Sequence, residues 1–345
     1  MSNAKRKDYI TFLSVISMIS VVILHTNGCF WQFSNSRYWF TANIIESIFY
    51  FAVPLFFMIS GVTLINYHKK YDTKTFFKKR LMKTVLPFLV WSIIALLYRI
   101  YYSKSIVTSQ LNFKFIFNGI FGTSFLSIYW FFIPLFIIYL IIPILSSIDE
   151  KKQDKAFWYI IIVSFVLNSA LPLINNIFKL DLNLPIKLIV GTEYVMYVLL
   201  GYLLDKKELS KKNKIIIYIL GLIGLLVHII MTYNLSIEAN KIITLYKGYN
   251  NVPCVIYSIA IFVLLKSVFN YIKNIKIKNV INLVSKYTFT IYLMHFYVMQ
   301  IIQKTFGWST TSILYRLGMP FIIIPICMII TWILRKIPIV KYIVP

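Results

Sequence analysis

The chain has 345 residues, of which 59% are hydrophobic and only 14% are charged, and its mean hydropathy is +0.76. These values lie well outside the averages of soluble proteins and indicate an integral membrane protein. The net charge of +25 would also suit a nucleic-acid-binding protein. The basic residues, however, are spread between apolar runs and form no single patch, which argues against that class.

Ten runs of the chain approach the roughly 20 apolar residues that a helix needs to cross a bilayer. The fifth run is interrupted near Pro172 and the ninth is short. We therefore expect an all-α polytopic bundle of about ten transmembrane helices, which forms a single domain over residues 1–345. The predicted spans cover residues 9–27, 44–66, 84–101, 128–147, 156–173, 188–204, 215–232, 251–269, 287–302 and 313–334.

Lys and Arg residues cluster in alternate connections between these runs. With the N-terminus in the cytoplasm, 26 of the 36 basic residues fall on the cytoplasmic side and 10 on the other. Because cytoplasmic loops of membrane proteins carry an excess of Lys and Arg, we expect both termini in the cytoplasm. The connections at 102–127 and 233–250 then lie outside, where their aromatic and polar residues could shape the mouth of a cavity.

The first apolar run does not have the features of a cleaved signal peptide. No small-residue cleavage site follows that run, so we expect it to remain in the protein as a helix.

The three cysteines show no pattern of a chemical site. Cys29, Cys254 and Cys327 have neither CxxC nor metal-ligand spacing. We therefore assign them no chemistry and expect no metal site.

His25 closes the first apolar run, where ionisable side chains are costly and usually mark function. At a helix rise of about 1.5 Å per residue, it lies about 25 Å above the start of its helix, in the outer half of the bilayer. Glu46, near the outer start of the next helix, reaches a similar level. A histidine with a carboxylate to orient it is the pairing of a general base that acts on a hydroxyl. The alternative for both is an interfacial or structurally paired polar group.

Three further ionisable residues lie in later apolar runs. Glu193 and His228 reach a depth similar to that of His25, but the sequence does not show which helices are neighbours. For both, a structurally paired polar group is the alternative. His295 lies near the middle of the bilayer, about nine residues above Lys286. Catalysis and a structural or pore-lining role both fit His295.

A block of basic residues opens the third run on its cytoplasmic side. Lys79, Arg80 and Lys83 lie there with Lys78 within two helical turns. Several cations and free helix N–H groups can face phosphates together, so the block predicts an anion site. The alternative is a block that sets the topology and contacts lipid headgroups.

Six segments follow one another along nearly the whole chain in an order typical of one family. With them the chain resembles the bacterial acyltransferase-3 family of integral membrane O-acyltransferases. The resemblance implies ten transmembrane helices in a bacterial plasma membrane. It also implies transfer of an acyl group, typically acetyl from cytoplasmic acetyl-CoA, to a hydroxyl of a cell-envelope glycan. Acetyl-CoA is then a substrate, and no cofactor stays bound. The segments are VVILH, which ends at His25, FAVPLFFMISG (Phe51–Gly61), FFKKRLMKTVLPF (Phe76–Phe88), IYWFFIPLFIIYLIIPIL (Ile128–Leu145), VLLGYLL (Val198–Leu204) and SKYTFTIYLMH (Ser285–His295).

The resemblance assigns roles to four of the candidate residues. His25 falls on the family's first-helix histidine, to which catalysis is assigned. Glu46 falls where similar relatives carry an acidic residue. Arg80 and Lys83 fall on a basic motif associated with the acyl donor. The head of CoA can then stay with the cytoplasmic cations while its thin arm brings the acyl group towards His25.

The chain departs from the family pattern at three positions. Ser14 stands where the family usually has an arginine, and Thr11 where many relatives carry an acidic residue. The two losses are coupled if those residues form an ion pair, because either partner alone would leave a buried charge unpaired. Tyr129 stands where many relatives have a histidine before the Trp130 position. We expect Tyr129, Trp130 and His295 to contact substrate or to line a pore.

Two hypotheses about function follow. The first is an O-acetyltransferase for a capsular or other surface polysaccharide, in which His25 takes the proton of the acceptor hydroxyl and Glu46 or Glu193 orients the imidazole. The alternative is an exporter or flippase of a glycan or lipid-linked intermediate, which would use the same cavity and cations without catalysis. Both hypotheses involve membrane lipid, and neither involves nucleic acid.

Overall fold

The computed structural model describes residues 3–180 and 194–345, which fold into α-helices joined by short 3₁₀ and π-helical segments; these ranges contain no strand. The helices before residue 180 are α1 (Asn3–Thr26), α2 (Arg37–Phe49), α3 (Ala52–Leu64), α4 (Thr73–Arg80), α5 (Leu86–Leu97), α6 (Phe113–Phe121), α7 (Phe132–Ser146), α8 (Glu150–Phe165) and α9 (Leu171–Phe178). The later helices are α10 (Val195–Lys206), α11 (Lys211–Ala239), α12 (Val252–Tyr271), α13 (Ile275–Ser285), α14 (Thr288–Phe306), α15 (Ile313–Gly318) and α16 (Pro320–Leu334).

Many of the helices, alone or joined end to end, have the length and apolar character of membrane spans. The chain is an all-α, multi-pass membrane protein, as its sequence predicts. The number of ten spans and the cytoplasmic location of the termini stay predictions. Within the described ranges, eight stretches are long and apolar enough to cross a membrane: Asp8–Thr26, Arg37–Lys69, Thr73–Tyr102, Ser127–Ser146, Glu150–Phe178, Lys211–Ala239, Val252–Tyr271 and Ile313–Leu334.

Prolines account for two differences between the predicted and the observed helices. The second predicted span contains two helices, α2 and α3, because Pro54 in the first turn of α3 has no N–H to continue the preceding helix. The fifth span does not break at Pro172 as expected. A π-helical segment, Val166–Ala170, precedes this proline and carries the helix on to Phe178.

Helix α1 lies at the centre of the bundle. It packs against α2, α3, α12, α13 and α14, and also against α15 and α16. Its buried apolar side chains belong to a core that joins most of the helices. The last turn of α1, which carries His25, therefore lies among several helices and away from lipid.

Two glycines let α3 and α10 cross at close range. A Cβ atom on Gly61 would overlap the backbone carbonyl of Val198, and one on Gly201 would overlap that of Met58. Small residues at such crossings let helix backbones approach in a membrane, where association depends on close packing. The two glycines therefore bring Phe51–Gly61 against Val198–Leu204, two of the segments that carry the family resemblance.

Candidate active site

His25 contacts a second histidine, His295 of α14. Nδ1 of His25 lies 2.7 Å from Nε2 of His295, and the two rings stack with their centroids 4.9 Å apart. Nδ1 of His295 lies 2.9 Å from the backbone carbonyl oxygen of Ile291. A carbonyl oxygen only accepts, so the hydrogen-bond network assigns the hydrogen to Nδ1 of His295, which leaves its Nε2 as the acceptor for Nδ1–H of His25. In this neutral pair, Nε2 of His25 keeps a free lone pair.

His25 lines a cavity of about 370 Å³, which we call the outer cavity. Nε2 of His25 has no hydrogen-bond partner within the described part of the chain, so its lone pair is available to a molecule bound there. Both connections that we expected to shape a mouth contribute, through Ser127 and Tyr249. The cavity is lined by Val21, Leu24, His25, Gly28, Trp31, Glu46, Tyr50, Val53, Ser127, Ile128, Trp130, Phe131, Tyr249, Tyr292 and Phe296.

Glu46 of α2 lines the outer cavity but forms no hydrogen bond with His25. Its Oε2 accepts a hydrogen bond from Nδ2 of Asn27 at 3.1 Å. Asn27 follows the end of α1, and its Nδ2 also donates to the carbonyl of Ala42 at 2.9 Å. Our expectation that Glu46 orients the imidazole is corrected here, because His295 holds that position. Glu46 is instead fixed as a separate hydrogen-bond acceptor in the cavity wall.

A buried lysine, which the sequence analysis missed, accompanies Glu46. Lys247 lies in the loop between α11 and α12 and is only 2% exposed. Its Nζ donates to Oγ of Ser47 at 2.8 Å and lies 4.7 Å from the centre of the Phe30 ring. Burial lowers the pKa of Lys247, and the nearby carboxylate of Glu46 opposes that shift. In the sequence, nothing separates this lysine from the exposed ones in the outer connections.

Aromatic rings form a wall of the outer cavity. The ring of Tyr249 stacks on that of Tyr50 with centroids 4.4 Å apart, and on that of Trp130 with centroids 5.6 Å apart. The backbone carbonyl of Tyr249 accepts a hydrogen bond from the hydroxyl of Tyr197. The loop that carries Lys247 and Tyr249 is therefore anchored over the cavity.

The residues expected to contact substrate or line a pore have three different positions. Trp130 lines the outer cavity, and His295 lies behind His25. Tyr129 is not among the lining residues. It is buried, and its hydroxyl donates to the carbonyl of Leu293 at 2.8 Å, which joins it to the helix that carries His295.

The basic residues at the start of the third run have different environments. Lys79 and Lys83 are exposed, and Nζ of Lys79 lies 3.7 Å from the centre of the Tyr71 ring. The guanidinium of Arg80 is turned inward, 5.6 Å from the centre of the Tyr139 ring. Its Nε is buried and has no hydrogen-bond partner within the described ranges. Arg80 is therefore the best placed of the three for an anion.

A second cavity of about 180 Å³ lies between this basic region and the outer cavity, and we call it the inner cavity. Tyr139 lines it beside Arg80, and Phe131 and Tyr292 line both cavities. Ser14, which stands at the position of the family's arginine, also lines it and donates to the carbonyl of Ile10 at 2.9 Å. The lining is Ser14, Phe56, Ile59, Ser60, Thr84, Phe131, Phe132, Leu135, Tyr139, Thr288, Phe289 and Tyr292.

Two candidates of similar predicted depth do not join the described site. Glu193 lies outside the described residues. His228 of α11 is buried, and its ring packs edge-to-face on Tyr50 with centroids 5.3 Å apart. Neither nitrogen of His228 has a hydrogen-bond partner within the described ranges, and His228 does not line the outer cavity.

Comparison with known proteins identifies the family. A model of the acyltransferase domain matches residues 7–332, a range that includes every residue lining the two cavities. No curated protein and no solved structure matches the chain. The family model covers nearly the whole sequence, and it agrees with the multi-pass helical fold. The chain belongs to the acyltransferase-3 family and is a membrane acyltransferase.

Proposed function

We propose that this protein transfers an acetyl group from cytoplasmic acetyl-CoA to a hydroxyl of a capsular or other surface polysaccharide, in the plasma membrane of a bacterium. The observation that carries the proposal is the hydrogen-bonded series from His25 through His295 to the carbonyl of Ile291. It leaves Nε2 of His25 unprotonated beside the outer cavity. An unprotonated nitrogen within reach of a bound hydroxyl is what a general base requires.

In the proposed reaction, the acceptor hydroxyl gives its proton to Nε2 of His25 while its oxygen attacks the thioester carbonyl carbon. The tetrahedral intermediate collapses as the carbon–sulfur bond breaks. The thiolate of CoA takes the proton back from Nε2, so the products are an acetyl ester and free CoA thiol. His295 accepts the Nδ1–H bond throughout and thereby holds the tautomer and the orientation of His25.

The composition of the outer cavity supports a sugar as the acceptor. Trp31, Trp130 and Tyr249 present flat apolar surfaces, which suit the C–H faces of a sugar ring. Glu46 is an acceptor for sugar hydroxyls. A few polar groups in a mostly aromatic cavity are typical of sites that orient a small ligand.

The inner cavity and Arg80 support a donor that enters from the cytoplasmic side. The phosphates of CoA carry several negative charges, and the guanidinium of Arg80 is suited to bind them. The thin arm of CoA can then extend past Tyr139 and Ser14 towards Phe131 and Tyr292, which border the outer cavity. Because Ser14 is neutral, Arg80 supplies the cation along this route.

The decisive test is His25→Ala in intact cells. We expect NMR to detect no O-acetyl groups on the surface polysaccharide, because the attacking hydroxyl loses its base. The amount of polymer and the amount of inserted protein should match those of the unmodified strain. His68→Ala replaces an exposed histidine far along the chain and serves as the control, which should keep normal acetylation.

Two results would contradict the proposal. Normal acetylation in the His25→Ala strain would show that His25 is not the base. Loss of the surface polymer, with normal acetyl content on what remains, would support the exporter or flippase hypothesis.

A further inference from the structure

Lys247 occupies a site that is unfavourable for a lysine. Its side chain is buried, and Nζ lies 4.7 Å from the centre of the Phe30 ring and 5.5 Å from that of Tyr50. Aromatic faces attract a cation, but lysines are almost never fully buried without a partner of opposite charge. The position therefore requires an acidic partner nearby.

Glu46 is that partner. It is the only acidic residue among the buried side chains of the described ranges, and it interacts electrostatically with Lys247. A hydrogen bond also connects the two residues indirectly, since Nζ of Lys247 donates to Oγ of Ser47, the residue next to Glu46. Lys247 thus contacts the same turn of α2 that presents Glu46 to the outer cavity.

Lys247 itself does not line the outer cavity. It therefore acts on a bound molecule only through another residue. We infer that Lys247 is a positioning residue for the proposed reaction: its ammonium balances the charge of Glu46 and, through Ser47, holds the helical turn that presents this carboxylate to the acceptor sugar. The inference rests on the proposed function.

The surroundings of Lys247 make its charge sensitive to pH. Besides Glu46, the titratable groups that face it are Tyr50 of α2, His228 of α11 and Cys254 of α12. Burial lowers the pKa of Lys247. A lysine loses its proton as the pH rises through its pKa, so Lys247 loses its charge at a lower pH than an exposed lysine does. An arginine at this position stays charged over the whole range.

The experiment measures transfer of radiolabelled acetyl from acetyl-CoA to the isolated surface polysaccharide, with detergent-solubilised membranes, between pH 5 and 9. We expect Lys247→Met to lower transfer by roughly 10- to 100-fold, because it leaves the charge of Glu46 unbalanced. Lys247→Arg should retain transfer and should keep it at the upper end of this pH range, where transfer by the unmodified protein falls. Lys241→Met removes an exposed lysine of the same loop and should change nothing.

A double variant separates positioning from simple anchoring of the loop. If Lys247 acts through Glu46, Glu46→Gln lowers transfer by itself, and adding Lys247→Met lowers it no further. If Lys247 only anchors the loop, the two losses multiply. Multiplied losses would overturn the inference, and so would a Lys247→Arg profile identical to that of the unmodified protein.

The same assay distinguishes failure of the inference from failure of the proposed function. No transfer by the unmodified protein would overturn the proposed function. Transfer by the unmodified protein together with full activity of Lys247→Met would overturn the inference alone. If Lys247→Met does not accumulate in the membrane, the pH profile of Lys247→Arg decides.

Discussion

The outer cavity and the basic region at the start of the third run hold their ionisable side chains in opposite ways. In the outer cavity, His25 is hydrogen-bonded to His295, and Glu46 is hydrogen-bonded to Asn27. In the basic region, Lys79 and Lys83 are exposed, and Arg80 packs on an aromatic ring. The outer cavity is fixed by hydrogen bonds before any ligand binds, whereas the cations of the basic region form no ion pair within the described part of the chain.

This difference in how the side chains are held indicates which step of the proposed reaction each region can carry out. A base must be held in one tautomer and one orientation, because small displacements from the reacting atoms are costly. Cations that bind phosphates act over longer distances and tolerate movement. We therefore expect substitutions in the outer cavity to lower the rate of transfer, and substitutions in the basic region to weaken binding of the donor.

The largest effect is expected for the partner of the base. His295→Ala leaves Nδ1–H of His25 without its acceptor, so the imidazole can rotate or change tautomer. We expect acetyl transfer to fall on the order of 100-fold, with little change in the affinity for acetyl-CoA. Initial rates of radiolabel transfer over a range of acetyl-CoA concentrations measure both quantities.

Thr305→Ala is the control for this substitution. Thr305 lies on the same helix but is exposed, and its hydroxyl donates to the carbonyl of Ile301. Its transfer rate should equal that of the unmodified protein. A His295→Ala protein that transfers acetyl at the normal rate would show that His25 needs no partner, and the contrast between the two regions would lose its basis.

Much of the fold can be predicted from the sequence, because apolar runs of membrane length admit few alternatives to helices. The boundaries are harder to predict. The break between α2 and α3 and the π-helical segment before Pro172 depend on where each proline falls relative to the neighbouring turns. The helices α6 and α13 lie in connections where we predict no span.

The candidate site is only partly predictable. His25 and Glu46 stand out as ionisable residues in apolar runs, and both line the outer cavity. The contact between His25 and His295 contradicts the depths predicted for them, which place His295 well below His25. The rule of constant rise assumes that every helix starts at the membrane surface, but α13, which leads into α14, packs against α1 within the bundle. The burial of Lys247 cannot be predicted from the sequence either, because it depends on how the loop between α11 and α12 folds over the bundle.

The next effect concerns the basic region. Arg80→Ala removes the inward-facing guanidinium and should weaken acetyl-CoA binding about tenfold, which is about 1.4 kcal/mol. The rise in melting temperature that acetyl-CoA produces in the purified protein measures this loss. Lys78→Ala, which removes an exposed cation two residues away, should keep the full rise. Equal losses in both variants would show that the region attracts the donor by charge alone.

The smallest effect is expected for Tyr129, which lies beside the outer cavity without lining it. Tyr129→Phe removes the hydroxyl that donates to the carbonyl of Leu293 and keeps the ring. Hydrogen bonds between membrane helices contribute about 0.6 kcal/mol on average, so we expect a slightly lower melting temperature.

Transfer by Tyr129→Phe should stay within about twofold of normal, because phenylalanine keeps the aromatic ring and therefore the packing behind His295. The comparison with Trp130→Phe, at the neighbouring residue that does line the cavity, makes the test specific. A loss of transfer in Tyr129→Phe as large as that in Trp130→Phe would mean that the hydroxyl reaches the substrate. The group of side chains that are held in place for the reaction would then include Tyr129 as well as the residues that line the outer cavity.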